Sequence, residues 1–126
     1  MGNPVHRERV RVVLPYKGKY LLERLTNPDW PRSFGRKRHI GGGIEEGETP
    51  PQAAAREMFE ELGVVISPEA FKFLGKHENQ YYLELSDHPL HPGTFKASVG
   101  NDPIITLEHT MPSGEDYWGP LLSDLK

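Results

Sequence analysis

At 126 residues the chain has room for one core and can bury roughly two thirds of its unfolded surface. It contains no cysteine, which excludes a disulfide framework and any thiolate metal or nucleophile chemistry. Its 36% apolar and 26% charged residues lie in the globular range. Fifteen Lys and Arg against eighteen Asp and Glu, a net charge of −3, give no basic footprint for duplex nucleic acid.

Met1 to Arg11 lacks the apolar stretch of a signal peptide, and no run of 18 apolar residues follows, so a cytoplasmic protein without membrane contact is expected. Val10 to Leu14 and Tyr20 to Leu25 are apolar runs either side of Pro15-Tyr16-Lys17-Gly18-Lys19, which predicts strand, turn and strand. Pro28, Pro31 and Gly35 make Thr26 to Arg38 a loop. After Gly41-Gly42-Gly43, Thr49 offers an N-cap and Pro50 and Pro51 suit a first helical turn. A helix through Gln52 to Leu62 then meets its stop at Gly63. Phe71 to Gly75, Gln80 to Leu85, Phe95 to Val99 and Ile104 to Glu108 read as strands, Tyr117-Trp118 as the start of a last one, and Leu121 to Leu125 as one helical turn. One clear helix among many strands predicts a single α/β (α+β) domain over residues 1–126. Its architecture is a mixed β-sheet sandwich with one main helix and a short C-terminal helical turn.

Charge is concentrated in one place. Gly42 to Val64 holds Glu45, Glu46, Glu48, Glu57, Glu60 and Glu61 against Arg56 alone, and like charges at helical spacing repel. At about 100° per residue, Glu57, Glu60 and Glu61 share one helix face, with Ala55, Met58, Phe59 and Leu62 roughly opposite as the core face. Three carboxylates on one face either solvate the helix or offer oxygen ligands to a hard cation such as Mg²⁺ or Mn²⁺. Arg56 stands four residues before Glu60 and can hold it by a charge-assisted hydrogen bond. The glycines just upstream are a plain loop or a backbone that approaches a metal or phosphate closely.

The whole segment, GGIEEGE, seven residues, then REMFEELGV, resembles the Nudix box, G-x5-E-x7-R-E-U-x-E-E-x-G-U, where U is a bulky aliphatic. Every fixed position from Gly42 to Gly63 matches, as do Met58 and Val64 at the two U positions. Where relatives often carry a proline before the paired glycines, this chain has Ile40. The resemblance implies the Nudix fold and a hydrolase that splits the pyrophosphate linkage of a nucleoside diphosphate joined to another group. It also implies the site. Glu57, Glu60 and Glu61 would hold Mg²⁺ or Mn²⁺ with the Gly42 carbonyl as an extra ligand, Glu48 would support them, and Arg56 would orient the glutamates. Bridging cations fit that chemistry, because a pyrophosphate can approach carboxylates only through them. A non-catalytic module that binds or senses a nucleotide is the alternative; such modules usually lose part of the box, and this chain keeps all of it.

Outside the box, Arg32, Arg36, Lys37 and Arg38 either grip phosphates or solvate the loop, and Trp30 and Phe34 either stack a base or anchor it. Glu84, Glu108, Glu115 and Asp116 are candidates for an extra ligand or base, and Trp118 is read as core or as part of the last strand. Subfamily marks favour nucleoside triphosphates or dinucleoside polyphosphates over ADP-ribose or NADH. The stretch Asn79-Gln80-Tyr81-Tyr82 has no proline, and Tyr81 resembles the base-stacking tyrosine of dinucleoside polyphosphate hydrolases. Strand alternation puts only one of Tyr81 and Tyr82 toward a cleft. The expected partner is a small nucleotide, and the chain is expected to be a monomer or homodimer.

Overall fold

The computed structural model describes residues 7–96 and 105–126. Strands β1 (Arg9–Tyr16) and β2 (Lys19–Arg24) form the expected hairpin. Lys17 and Gly18 both take positive φ at its tip, as a tight two-residue turn requires. Two short strands follow in the Pro-rich region and the glycine run, β3 (Lys37–Arg38) and β4 (Ile40–Gly43), then helix α1 (Pro50–Leu62). Strands β5 (Lys72–His77), β6 (Gln80–Glu84), β7 (Gly93–Phe95) and β8 (Ile105–Thr110) complete the sheet, and short 3₁₀ turns span Pro68–Ala70 and Leu122–Asp124. Among the described residues no helix is long and apolar enough to cross a membrane.

The strand order is β5-β6-β1-β2-β8-β7, with β4 also on β1 and β3 also on β2. β1 runs parallel to β6 over Arg9–Val13 and antiparallel to β4 over Arg9–Val12, and its last residues pair with β2. One long strand thus belongs to two pairings, which places the glycines of β4 beside its N-terminal half. The glycine run is therefore a strand, not a loop. Its pairing partner lies some thirty residues earlier, outside the reach of local sequence signals.

Helix α1 has the start and stop the sequence predicts. Thr49 Oγ1 accepts from the Gln52 N–H, and Gln52 Oε1 accepts from the Thr49 N–H at 2.9 Å, a reciprocal cap. Gly63 ends the helix in the left-handed region at φ 73°, its N–H donating to the Phe59 carbonyl. Ala53, Ala54, Met58 and Leu62 are buried against Val10, Val12 and Leu14 of β1 and Ile40 of β4. Phe59, expected in the core, is 45% exposed, because the buried stripe runs Ala54-Met58-Leu62 with Ala53 beside it, and Phe59 lies about 100° past Met58 on the other side.

The other face of β1 is covered in part. Arg11 and Val13 are buried there, Arg11 beside His39 and Tyr82. His39 meets the rings of Tyr82 and Tyr117 edge-on at 5.8 Å. Tyr117-Trp118 does not extend into a strand. It makes one bridge to Lys37, because Arg24 holds Asp116 at 2.7 Å and Glu108 at 2.5 Å and so fixes the loop instead. The strand expected at Phe95 to Val99 is seen as Gly93–Phe95; positions 97–104 lie outside the described residues.

Candidate active site

Arg56 is the hub of the acidic segment. Its Nε donates to Glu48 at 2.7 Å, Nη1 to Glu60 at 2.9 Å and Glu57 at 3.2 Å, and Nη2 to the Gly43 carbonyl at 2.8 Å. One guanidinium therefore ties the end of β4, the loop before α1 and the helix itself. Donation from Arg56, reinforced by the Glu45 N–H, holds the Glu48 carboxyl below its ordinary range. The same carboxylates push the Arg56 guanidinium up.

Glu57 and Glu61 lie deeper. The Glu57 carboxylate rests against Gly42: a Cβ on that glycine would fall 2.6 Å from the Glu57 carboxyl carbon. Burial raises the Glu57 carboxyl, and Arg56 only partly offsets this. Glu61 Oε2 is buried with no hydrogen-bond partner. Burial, then the nearby charges of Glu23 and Glu57, push the Glu61 carboxyl up to about 9. Glu60 is more open and is held by Arg56, as its spacing predicts.

Among the described residues no three acidic or histidine side chains already form a cage for an ion. The donor set nonetheless fits a hard divalent cation. An orphaned carboxylate oxygen, a second buried carboxylate and a glycine whose missing side chain makes room for it converge on oxygen ligation.

Glu23 was passed over by the sequence reading. It sits near the end of β2, is only 8% exposed, accepts from Arg38 Nε at 3.3 Å and presents its charge to Glu61. The available signal was an acid following the apolar run Tyr20-Leu21-Leu22 within one strand. Arg7, Arg9 and Arg11 were missed too, although their period of two into β1 marks one face of a strand.

The expected substrate contacts divide. Arg38 lines a cavity beside the box, and Arg36 lies over the Trp118 ring at 5.6 Å with Nη1 on the Glu115 carbonyl. Lys37 is buried and donates to Thr110. Arg32, Trp30 and Phe34 are in the exposed loop away from that cavity. Tyr81 is not brought to it either. Register with Val10 turns Tyr81 to the α1 side, where its hydroxyl donates to Glu8 at 2.9 Å; Tyr82 faces the other way. Glu108 and Asp116 are taken up by Arg24. Trp118 is neither core nor strand: it is 41% exposed and lines the cavity.

A mixed sheet, one main helix and a carboxylate cluster ordered by an arginine define an α+β protein. The NUDIX domain family model matches residues 5–106, and the chain belongs to that family. It is 43% identical over 58 residues to an RNA pyrophosphohydrolase of Psychromonas ingrahamii, covering 43% of this chain and 31% of that protein. It is 33% identical over 73 residues to an RNA pyrophosphohydrolase of Pseudoalteromonas atlantica, covering 56% of this chain and 41% of that one. The chain thus spans less than half the length of these curated relatives. Among solved structures, the E. coli ORF135 protein superposes with a TM-score of 0.56 at 24% identity over 84% of this chain and 74% of that chain. A NUDIX hydrolase from Nitrosomonas europaea superposes with 0.58 at 18% identity over 83% and 72%. These likenesses bear out the mixed α+β fold with a single main helix.

Proposed function

We propose that the chain is an Mg²⁺- or Mn²⁺-dependent hydrolase of the pyrophosphate linkage of a nucleoside diphosphate joined to another group. Nucleoside triphosphates and dinucleoside polyphosphates are the favoured substrates. The observation that carries this is the helix face bearing Glu57, Glu60 and Glu61 beside β4, with Glu57 and Glu60 held by Arg56 and Glu61 Oε2 left without a partner. Glu57, Glu60 and Glu61 would hold the cation, with the Gly42 carbonyl as a further ligand. When bound, the cation would neutralise the bridging phosphates and favour ionisation of the attacking water. Arg56 keeps Glu60 and Glu57 from repelling one another, and Glu48 fixes Arg56. The proton of the attacking water would go to one of the box carboxylates within reach. The relatives' name adds RNA with a 5′ pyrophosphate linkage to the candidates.

The test is phosphate or pyrophosphate release from a panel: nucleoside triphosphates, dinucleoside polyphosphates, ADP-ribose, NADH and 5′-triphosphorylated RNA. Each is run with Mg²⁺, with Mn²⁺ and with EDTA. Cation-dependent turnover that EDTA abolishes is expected. Binding without turnover in every condition would overturn it in favour of a nucleotide-binding module.

A further inference from the structure

Against the face of β1 and β6 that turns away from α1 lies a cavity of about 590 Å³, a volume that accommodates a nucleotide. Its wall carries Arg7, Arg9, Arg11 and Arg38, with Glu78 the one acid among them, and Trp118 lies at its edge. Alternation along the strand explains three of these cations. Residues 7, 9 and 11 project to one side while Val10 and Val12 enter the core.

The site is built rather than incidental. Arg11 is 6% exposed, with Nε donating to Gln80 Oε1 at 2.6 Å and Nη1 to the His39 carbonyl at 3.3 Å. Burial and the nearby charges of Arg38 and Arg9 pull its guanidinium down to about 10. Cations crowded this way are relieved by a bound anion. Trp118 is set firmly at the edge. Its backbone N–H donates to the Lys37 carbonyl at 2.9 Å, and the Arg36 guanidinium lies 5.6 Å over its ring. The cavity also communicates with the carboxylates. Arg7 Nε donates to the Ile44 carbonyl at 3.1 Å beside Gly43, whose own carbonyl receives Arg56, and Arg38 holds the Glu23 that faces Glu61.

We propose that this cavity holds the nucleoside end of the substrate, Trp118 stacking on the base and Arg9, Arg11 and Arg38 receiving the phosphate next to it. This deepens the hydrolase reading above and rests on it. An aromatic face accepts any base and gains most from the larger purine rings.

The experiment uses the full chain carrying Trp30→Phe, which leaves Trp118 as the sole tryptophan. A methylene-bridged, non-hydrolysable adenosine triphosphate analogue and inorganic tripolyphosphate are titrated with Mg²⁺, following tryptophan fluorescence and binding heat. The nucleotide should quench Trp118, whereas tripolyphosphate should bind without comparable quenching. On this background Trp118→Ala, read by heat, should weaken nucleotide binding roughly tenfold and leave tripolyphosphate unchanged, and Arg9→Gln should weaken both. Nucleotide binding unaffected by Trp118→Ala, or equal quenching by tripolyphosphate, overturns the proposal. Turnover tells the two readings apart. Catalysis with KM unaltered in Trp118→Ala would sink the nucleoside site alone; quenching without turnover of any panel member would sink the hydrolase alone.

Discussion

Arg56 grips Glu48 with two donors, Nε at 2.7 Å and Nη2 at 3.0 Å, while the same Nη2 reaches the Gly43 carbonyl. The pair stand eight positions apart, Glu48 just before the N-cap Thr49 and Arg56 two turns into α1. The fork joins the last residue of β4 to the helix that carries the other glutamates, and its planar geometry is what lets one side chain serve both.

Lysine cannot reproduce that fork. Arg56→Lys is expected to destabilise the fold by about 1–3 kcal/mol, less than a fully buried pair would cost because the guanidinium is partly solvated. It should also lower turnover, since Glu57 and Glu60 lose their shared donor. Urea denaturation of both proteins checks the first expectation; an unchanged midpoint would show that the network is decorative.

Two neighbouring glycines should fail differently. A Cβ at Gly42 would push on the flexible end of Glu57, whereas one at Gly41 would meet the backbone carbonyl of Val10. Gly42→Ala is therefore expected to fold nearly normally and to lose about 10²-fold in kcat through a displaced carboxylate. Gly41→Ala should cost about 1–3 kcal/mol or more of stability, because a paired strand cannot step aside. Thermal melts set beside kcat for the two variants test this, and the reverse pattern would contradict the placement of Glu57.

The sequence announces those parts of the molecule whose causes are local. Thr49, Pro50, Gln52 and Gly63 bracket α1 with interactions spanning at most four residues, so its limits are legible. The box carries its own spacing, and the Arg56–Glu60 bond follows from it. Glu23 and the arginines of residues 7–11 gain their meaning only when β1 pairs with β4 and β6 and β2 pairs with β3, contacts that local pattern does not encode. Tyr81 and Tyr82 were correctly split onto opposite faces, but which face meets the cavity is decided by the parallel register with Val10 and Arg11. Trp118 is placed by its backbone N–H on the carbonyl of Lys37, eighty-one residues away, and no local pattern leads there.

His39 should set part of the acid limit of stability. Both ring nitrogens are buried without partners, and burial followed by the charge of Arg11 holds the imidazole down to about 3. Its folded value is thus below the ordinary 6.5, so the unfolded chain binds the extra proton first. The neutral ring is accommodated above pH 6.5, and stability falls as pH drops from 6.5 toward 3. At pH 5 the loss from this residue is about 2 kcal/mol. His39→Phe, which keeps a ring between Tyr82 and Tyr117, should flatten that slope. Denaturation midpoints at pH 7.5, 6 and 5 measure it; identical slopes in the two proteins would remove His39 as the cause.

The carboxylates that would hold a cation are the ones least comfortable without it, and stability should record this. Binding to the folded chain alone stabilises it by mass action, about 2.7 kcal/mol at a hundredfold excess over Kd, or roughly 10 °C for a chain of this size. Mg²⁺ or Mn²⁺ should therefore raise Tm, and Glu57→Gln, Glu60→Gln and Glu61→Gln should each reduce that shift while lowering turnover by about 10³-fold or more. Glu61→Gln is the most telling. It replaces a carboxyl that burial and the neighbouring Glu23 and Glu57 keep protonated near neutral pH with a neutral amide whose N–H can donate to either. Without added cation the variant should melt at the wild-type temperature or higher, by up to about 1 kcal/mol, because a site poised for function gives up stability. Differential scanning fluorimetry with EDTA and with Mg²⁺, run beside the turnover assay, separates the two effects. If Glu61→Gln melts lower in EDTA yet keeps the full cation shift and turnover, Glu61 is a structural residue and the cation is held elsewhere.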